Sequence, residues 1–310
     1  MLDALSKSAF HTLARSRTLK HFASRYGMRE RGFARRFIAG ETLDEAIGAA
    51  RAVEAGGLSF TLDYLGESVS SLAEADAATR EYGAMIDRIV ASGIGRNISL
   101  KLTQLGLDLD RARCLDNLRA IVGRAAAHDF FVRIDMENSP YVDATLDIFE
   151  SLWREGLRNV GVVLQSALHR SEPDLERVLA LGARVRLVKG AYREPADVAW
   201  QRKADVDAAF LRMTRRLLDA GTFPALATHD PVMIDATRRY AADRAIPPSR
   251  YEFQMLYGIR RDLQASLKAA GCGVRVYIPF GREWFPYFMR RLGERPANVG
   301  FVMRGILQDR

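Results

Sequence analysis

From residue 58 onward the chain alternates short runs of β character with longer stretches of helical periodicity. The runs cover residues 58–65, 97–105, 130–137, 160–166, 184–190, 224–229, 251–258 and 274–280, starting about 22 to 40 residues apart. Each leaves room for a helix before the next. Strand alternating with helix predicts βα units and a parallel sheet, and eight units in series predict a closed barrel. A doubly wound open sheet is the alternative, but no GxGxxG or GxxxxGK[ST] follows any run. Ahead of these units the pattern predicts a helix over about 2–23 and a second over Thr42–Glu54, capped by Thr42 with Glu45 three residues on. The division expected is a helical lead-in over 1–55 and a barrel over 56–310.

Three of the runs carry a second pattern. Asn97, Ser99, Lys101 and Thr103 interleave with Ile98, Leu100 and Leu102; Arg133, Asp135 and Glu137 interleave with Val132, Ile134 and Met136; Arg275 and Tyr277 interleave with Val274, Val276 and Ile278. An isolated sheet with this alternation would wet one face. In a barrel the helices claim the apolar face, so the polar set turns into the interior, where each unpaired ion costs several kcal/mol. Such charges are tolerated at the C-terminal mouth, where barrel enzymes place their chemistry. Lys101, Asp135, Arg186 and Tyr277, late in their strands, are therefore candidates for chemistry, against structural ion pairing as the alternative; Arg184, early in its strand, is a poorer one.

The last helix follows the eighth run in GREWFPYFMRRLGERPAN. Tyr287, Arg290, Arg291 and Glu294 stand at i, i+3, i+4 and i+7, on one face of it. A solvated charged face is the plain reading. Lying over a barrel mouth, the same face would hold a small carboxylate or phosphate by bidentate, charge-assisted hydrogen bonds.

Composition narrows the setting. The 310 residues are 48% hydrophobic with 46 Lys and Arg against 38 Asp and Glu, a formal net charge of +8, which excludes a disordered tail or a disulfide scaffold. Cys114 and Cys272 belong to no CxxC or His/Cys cluster, so zinc finds no support and a reducing cytosol fits best. Excess positive charge attracts anions. Much of it sits early, at Arg15, Arg17, Lys20, Arg25, Arg29, Arg31, Arg35 and Arg36, where a solvated lead-in, contact with an anionic membrane surface and a transit peptide all remain open. No apolar stretch reaches the roughly 20 residues that span a bilayer, and no nucleic-acid-binding signature accompanies the charge.

Six blocks then make a resemblance: ISLKLTQLG (98–106), RIDMENS (133–139), VVLQSALHR (162–170), RLVKGAYRE (186–194), FQMLYGIRRDLQ (253–264) and VYIPFGREWFPYFMRRLGERPAN (276–298). In register from about residue 40, the chain resembles the monofunctional bacterial proline dehydrogenases. The resemblance implies a distorted (βα)8 barrel of the TIM type with N-terminal helices and a final helix over the mouth, holding FAD. It implies oxidation of L-proline to Δ1-pyrroline-5-carboxylate by hydride transfer to flavin N5, with electrons passed to membrane quinone. Arg290, Arg291 and Lys101 would clamp the proline carboxylate, Asp135 would orient that cluster, and Glu294 would brace it. Tyr277 would pack on the substrate ring with Tyr287 nearby, and Leu256 and Tyr257 would wall the flavin. On the cofactor side the matches are Gln165 and Arg186 beside the flavin ring, Lys189, Gly190 and Ala191 along the ribityl and diphosphate, and Thr228 and His229 after strand six. The plain alternative for His229 is a strand-end histidine satisfied internally, and for Trp200, which would approach adenine, it is packing. The expected location is cytoplasmic, peripheral on the inner face of the membrane, with no nucleic-acid partner. A barrel lyase using Lys101 or Lys189 as nucleophile is the other enzymatic reading.

Overall fold

A computed structural model describes Met28 and residues 33–294, without the side chains of Arg290, Leu292 and Glu294. The helix expected over 2–23 lies outside the described residues, as do the Arg15–Arg31 positions of the basic cluster. The lead-in helix α1, Leu43–Ala55, begins where expected: the Thr42 hydroxyl accepts from the Glu45 amide and the Glu45 carboxylate accepts in return from the Thr42 amide. This reciprocal capping satisfies donors that would otherwise be orphaned at the helix start.

Eight parallel strands close into one barrel. They are β1 Ser59–Tyr64, β2 Asn97–Leu100, β3 Phe131–Ile134, β4 Val160–Gln165, β5 Val185–Val188, β6 Ala225–Ala227, β7 Glu252–Leu256 and β8 Gly273–Phe280. Between them run α2 Leu72–Ser92, α3 Arg111–Ala126, α4 Val142–Arg154, α5 Ser171–Ala180, α6 Lys203–Ala220, α7 Pro231–Asp243 and α8 Arg261–Ala269; α9 Trp284–Glu294 follows β8. The β1–β8 pairing, from Ser59↔Arg275 to Tyr64↔Phe280, completes the circle and removes the open-sheet alternative.

The alternation explains the layers. Ile98, Leu100, Val132, Ile134, Val274, Val276 and Ile278 are buried against the helices. The intervening residues meet inside, where the register sets Asp63 beside Ser99, Ser99 beside Arg133, and Arg133 beside Gly161. Gly161 is needed there, because a Cβ would stand 2.4 Å from the Arg184 carbonyl oxygen and 2.8 Å from Arg133 Nη1. The floor is thus plugged by an arginine that donates to the carbonyls of Val162 (3.0 Å) and Arg184 (2.7 Å).

Several strands end earlier than the sequence pattern predicts. The ladder stops at Leu100, Ile134 and Val188, and the chain then turns over the mouth, as a 3-10 turn at Thr103–Leu105 and through Gly190 at φ +121°. Apolar and polar residues keep alternating past those points, but the ladder gives way to single contacts such as the Ala167 amide on the Lys189 carbonyl at 2.8 Å. The residues freed from the ladder are the ones handed to the site.

The final helix is fastened from the lead-in side. Phe37 packs on Phe288 with ring centroids 6.2 Å apart, and Trp284 Nε1 donates to Glu41 at 2.9 Å. Met28, Ala34, Ile38, Leu65, Phe285, Tyr287 and Met289 complete this second apolar cluster. It sets α9 beside the opening above β8 and β1.

Candidate active site

A cavity of about 460 Å³ opens at the C-terminal end of the barrel. Its wall contains Lys101, Asp135, Gln165, Arg186, Lys189, Gly190, Ala191, Thr228, His229, Tyr277, Tyr287 and Arg291. Apart from Tyr257 and Trp200, every candidate site residue whose side chain is described therefore faces one space. Leu256 faces it too, whereas Tyr257 is not part of this wall. The side chains of Arg290 and Glu294 lie outside the described residues. Trp200 is not in this wall; it is exposed and meets His169 edge to face at 4.4 Å.

At one end the charges are locked together. Arg186 donates through Nη1 to Asp135 Oδ1 (2.6 Å), through Nε to Gln254 Oε1 (2.5 Å) and through Nη2 to Ser99 Oγ (3.2 Å). The Tyr277 hydroxyl donates to Asp135 Oδ2 at 2.8 Å, and the Arg186 guanidinium lies 5.3 Å from the Tyr277 ring centroid. Burial, with Asp135 and Asp63 alongside, pushes the Tyr277 phenol well above its ordinary range, so it remains a donor. Lys101 reaches between two carboxylates, 3.6 Å from Asp63 and 4.0 Å from Asp135. Burial alone would lower this lysine, but attraction to Asp63 and Asp135 outweighs it and holds the ammonium above the usual lysine range. A lysine so held is a fixed cation, which argues against its use as a nucleophile. From α9, Arg291 stacks over Tyr287 at 5.1 Å and faces the same cavity.

The other end is wired differently. Lys189 sits 2.5 Å from Asp207 and 2.8 Å from Asp230, and Lys203 pairs with the same two acids. The four groups balance, and both carboxyls lie below the usual carboxylate range because the lysines outweigh the effect of burial. His229 accepts the Leu256 amide proton through Nε2 at 2.9 Å, which leaves Nδ1 as the protonated nitrogen of the neutral ring. Gly190 makes a cradle, since a Cβ there would approach Ala167 Cβ at 3.2 Å and Gln165 Oε1 at 3.3 Å. Gln165 is fixed by its own donation to the Glu137 carbonyl at 2.8 Å.

Some members were overlooked in the sequence. Asp63 shares the inward phase of β1 with Ser59 and Thr61, and Glu252 and Gln254 share that of β7, so the alternation used for β2, β3 and β8 would have found them. Asp207, Asp230 and Lys203 carry no such signal, because tertiary packing alone brings α6 and the β6–α7 turn together. Among the described residues no group of three His, Cys, Asp or Glu side chains is arranged to hold a metal.

Fold and site together define a (βα)8-barrel enzyme whose mouth combines fixed cations, phenols and apolar walls. Comparison with known proteins gives the family. The family model described as Proline dehydrogenase matches residues 46–304. The chain is 41% identical to "Proline dehydrogenase 1" of Bacillus subtilis (strain 168), over 97% of this chain and 99% of that one. It is 40% identical to "Proline dehydrogenase" of Deinococcus radiodurans, over 99% and 100%. A crystal structure of proline utilization A from Bdellovibrio bacteriovorus, inactivated by N-propargylglycine, superposes with a TM-score of 0.78 at 27% identity; it covers 84% of this chain, which spans about a third (32%) of that longer protein. The chain belongs to the proline dehydrogenase family.

Proposed function

We propose that this enzyme uses FAD to oxidise L-proline to Δ1-pyrroline-5-carboxylate, the first step of proline catabolism, and passes the electrons to a membrane quinone. The observation that carries the reading is one cavity with Lys101 and Arg291 at one end and Gly190 with the cations Lys189 and Lys203 at the other. The donor set fits a flavin dinucleotide. Gly190, Ala191 and Lys189 would meet the diphosphate, Thr228 and His229 would take the part beyond β6, and Gln165 and Arg186 would border the ring. When bound, the flavin supplies the acceptor at N5 for a hydride from the proline carbon next to nitrogen.

The chain's own residues do the placing. Lys101 and Arg291, with Arg290 from the same helix, bind the carboxylate. Asp135 holds Arg186 and Tyr277 in one geometry, and Glu294 braces the helix side of the clamp. The Tyr277 ring, anchored through its hydroxyl, packs on the substrate ring with Tyr287 near it. Val163, Val188, Met136 and Leu256 keep water from the reacting carbon. Arg186, fixed by three hydrogen bonds, presents a positive charge where negative charge develops, with no reorganisation needed during the reaction.

The catalytic unit on this reading is the barrel of residues 56–310, and the basic lead-in meets the anionic inner face of the cytoplasmic membrane. No helix among the described residues is long and apolar enough to cross a membrane, so contact would be peripheral. Purified protein reconstituted with FAD should be yellow and bleach when L-proline is added without oxygen. A colourless protein, or a flavin spectrum indifferent to proline, refutes the reading. Reduction of a soluble quinone with proline as donor, and pelleting with anionic vesicles, test the acceptor and the membrane contact separately.

A further inference from the structure

Among the described residues, Asp63 is the one fully buried carboxylate around the cavity that is not part of its wall. It lies next to the end of β1, registered against Ser99, and its oxygens hold no full hydrogen bond among the described residues; the Tyr277 hydroxyl, which donates to Asp135, stands close enough to favour its ionised form weakly. Its nearest cation is the Lys101 ammonium at 3.6 Å. A buried acid whose neighbouring hydroxyl is already given to another carboxylate is expensive to keep. Replacing it by an apolar residue would remove that cost, unless its charge serves the lysine.

We propose that Asp63 is a positioning residue that pins the Lys101 ammonium, charged, beneath the carboxylate-binding end of the cavity. This rests on the function read above, in which Lys101 binds the substrate carboxylate. The geometry is specific. Lys101 lies between Asp63 from β1 and Asp135 after β3, and Asp135 is already engaged by Arg186 and Tyr277. The other charged or titratable groups facing the lysine are Glu67 after β1, Glu137 after β3 and Tyr192 after β5. Asp63 is thus the acid within ion-pair distance that has no other cation at such range. Burial pushes its own carboxyl up and the lysine opposes this, as expected for a pair that survives on mutual attraction. Without Asp63, the largest of the attractions that oppose burial is lost, and the ammonium is held charged less firmly by Asp135 and the more distant acids.

The test measures the affinity of the FAD-loaded enzyme for tetrahydrofuran-2-carboxylate, a ring carboxylate without an amine, so that substrate ionisation does not enter. In wild type the Kd should stay flat from about pH 7 to about pH 9.5. In Asp63→Asn it should climb more than tenfold over that interval, and the variant's KM for proline should rise with pH while kcat changes less than twofold. In a Lys101→Met background, where binding is weak throughout, Asp63→Asn should add nothing. A flat profile in Asp63→Asn, an equal effect in the Lys101→Met background, or a fall in kcat with unchanged Kd would each overturn the proposal. Should Asp63→Asn fail to fold, Asp63→Ser repeats the measurement; failure of both while Lys101→Met folds would make Asp63 purely structural and overturn it too. Wild-type protein that binds no ring carboxylate would remove the functional reading, and this inference with it.

Discussion

Arg186→Met is the sharpest perturbation, because Arg186 joins the barrel interior to the site. Methionine keeps most of the side-chain volume and removes three donated hydrogen bonds, to Asp135, Gln254 and Ser99. In wild type, Arg186 and Lys101 balance Asp63 and Asp135 within the buried cluster. The variant leaves two carboxylates facing one ammonium in a largely buried cluster. Breaking a buried pair from one side costs about 3–5 kcal/mol. At about 2–4 °C per kcal/mol for a chain somewhat smaller than this one, the melting temperature should fall by roughly 6–20 °C.

The accompanying experiment is a double-mutant cycle with Asp135→Asn, followed by thermal melting or urea titration. Removing the second charge relieves the excess, so the double variant should be more stable than the sum of the single effects by about 1.5 kcal/mol or more. Flavin reduction should slow in Arg186→Met. The KM for proline should rise as well, because Asp135 loses the partner that aims it and Tyr277 shares that carboxylate. Additivity within about 0.5 kcal/mol, or a melting temperature equal to wild type, would show that Arg186 and Asp135 do not act as a unit and refute the reasoning.

Other outcomes can be checked independently. Arg291→Met should raise the KM for proline at least tenfold and leave flavin content unchanged, by steady-state kinetics and absorbance. Asp207→Asn removes one of the two acids that engage Lys189, so apoprotein titrated with FAD should bind it several-fold more tightly; weaker binding would show that the acid positions the lysine instead of competing for it. Burial pushes the Cys114 thiol up to about 12 and raises Cys272, so a thiol reagent at about pH 8 should label neither until denaturant is added. Arginines on neighbouring helices hold Asp143, Asp147, Glu155 and Glu176 below the usual carboxylate range. Their ionised form is favoured in the fold, so this support is present above about pH 4 and disappears as pH falls through the lowered values; melting temperature should decline there, less steeply in high salt.

The barrel was legible because its evidence is repeated. Eight β runs at βα spacing leave few arrangements of the chain, and the capping box at Thr42 and Glu45 marks a helix start by local chemistry alone. Strand ends were less legible, since alternation continues through Lys101 and Glu137 after the ladder has stopped. The candidate site was half visible. Lys101, Asp135 and Tyr277 stand out because a parallel strand covered by helices is normally apolar throughout, and a polar residue at every second position needs an explanation. Asp63 carried the same signal in a strand where it went unread. The pairing of Lys189 with Asp207 and Asp230 had no signal, because residues 18 and 41 positions away in sequence meet only after α6 and β6 are in place.

The hydrogen bonds within the barrel also explain why floor and mouth behave as one piece. Arg275 donates to Glu252 at 2.8 Å, Gln254 donates to the same carboxylate at 2.6 Å and accepts from Arg186, and Arg186 continues to Asp135, which accepts from Tyr277. Arg275 and Tyr277 are two residues apart on β8, so the path leaves that strand, crosses β7 and β5 to the end of β3, and returns to it. A side chain in such a circuit cannot turn without breaking a bond at each neighbour. Tyr277 and Arg186 therefore reach the cavity with orientations already set by residues far below it. That rigidity is what allows charged groups to remain poised at a substrate-sized opening instead of collapsing onto one another.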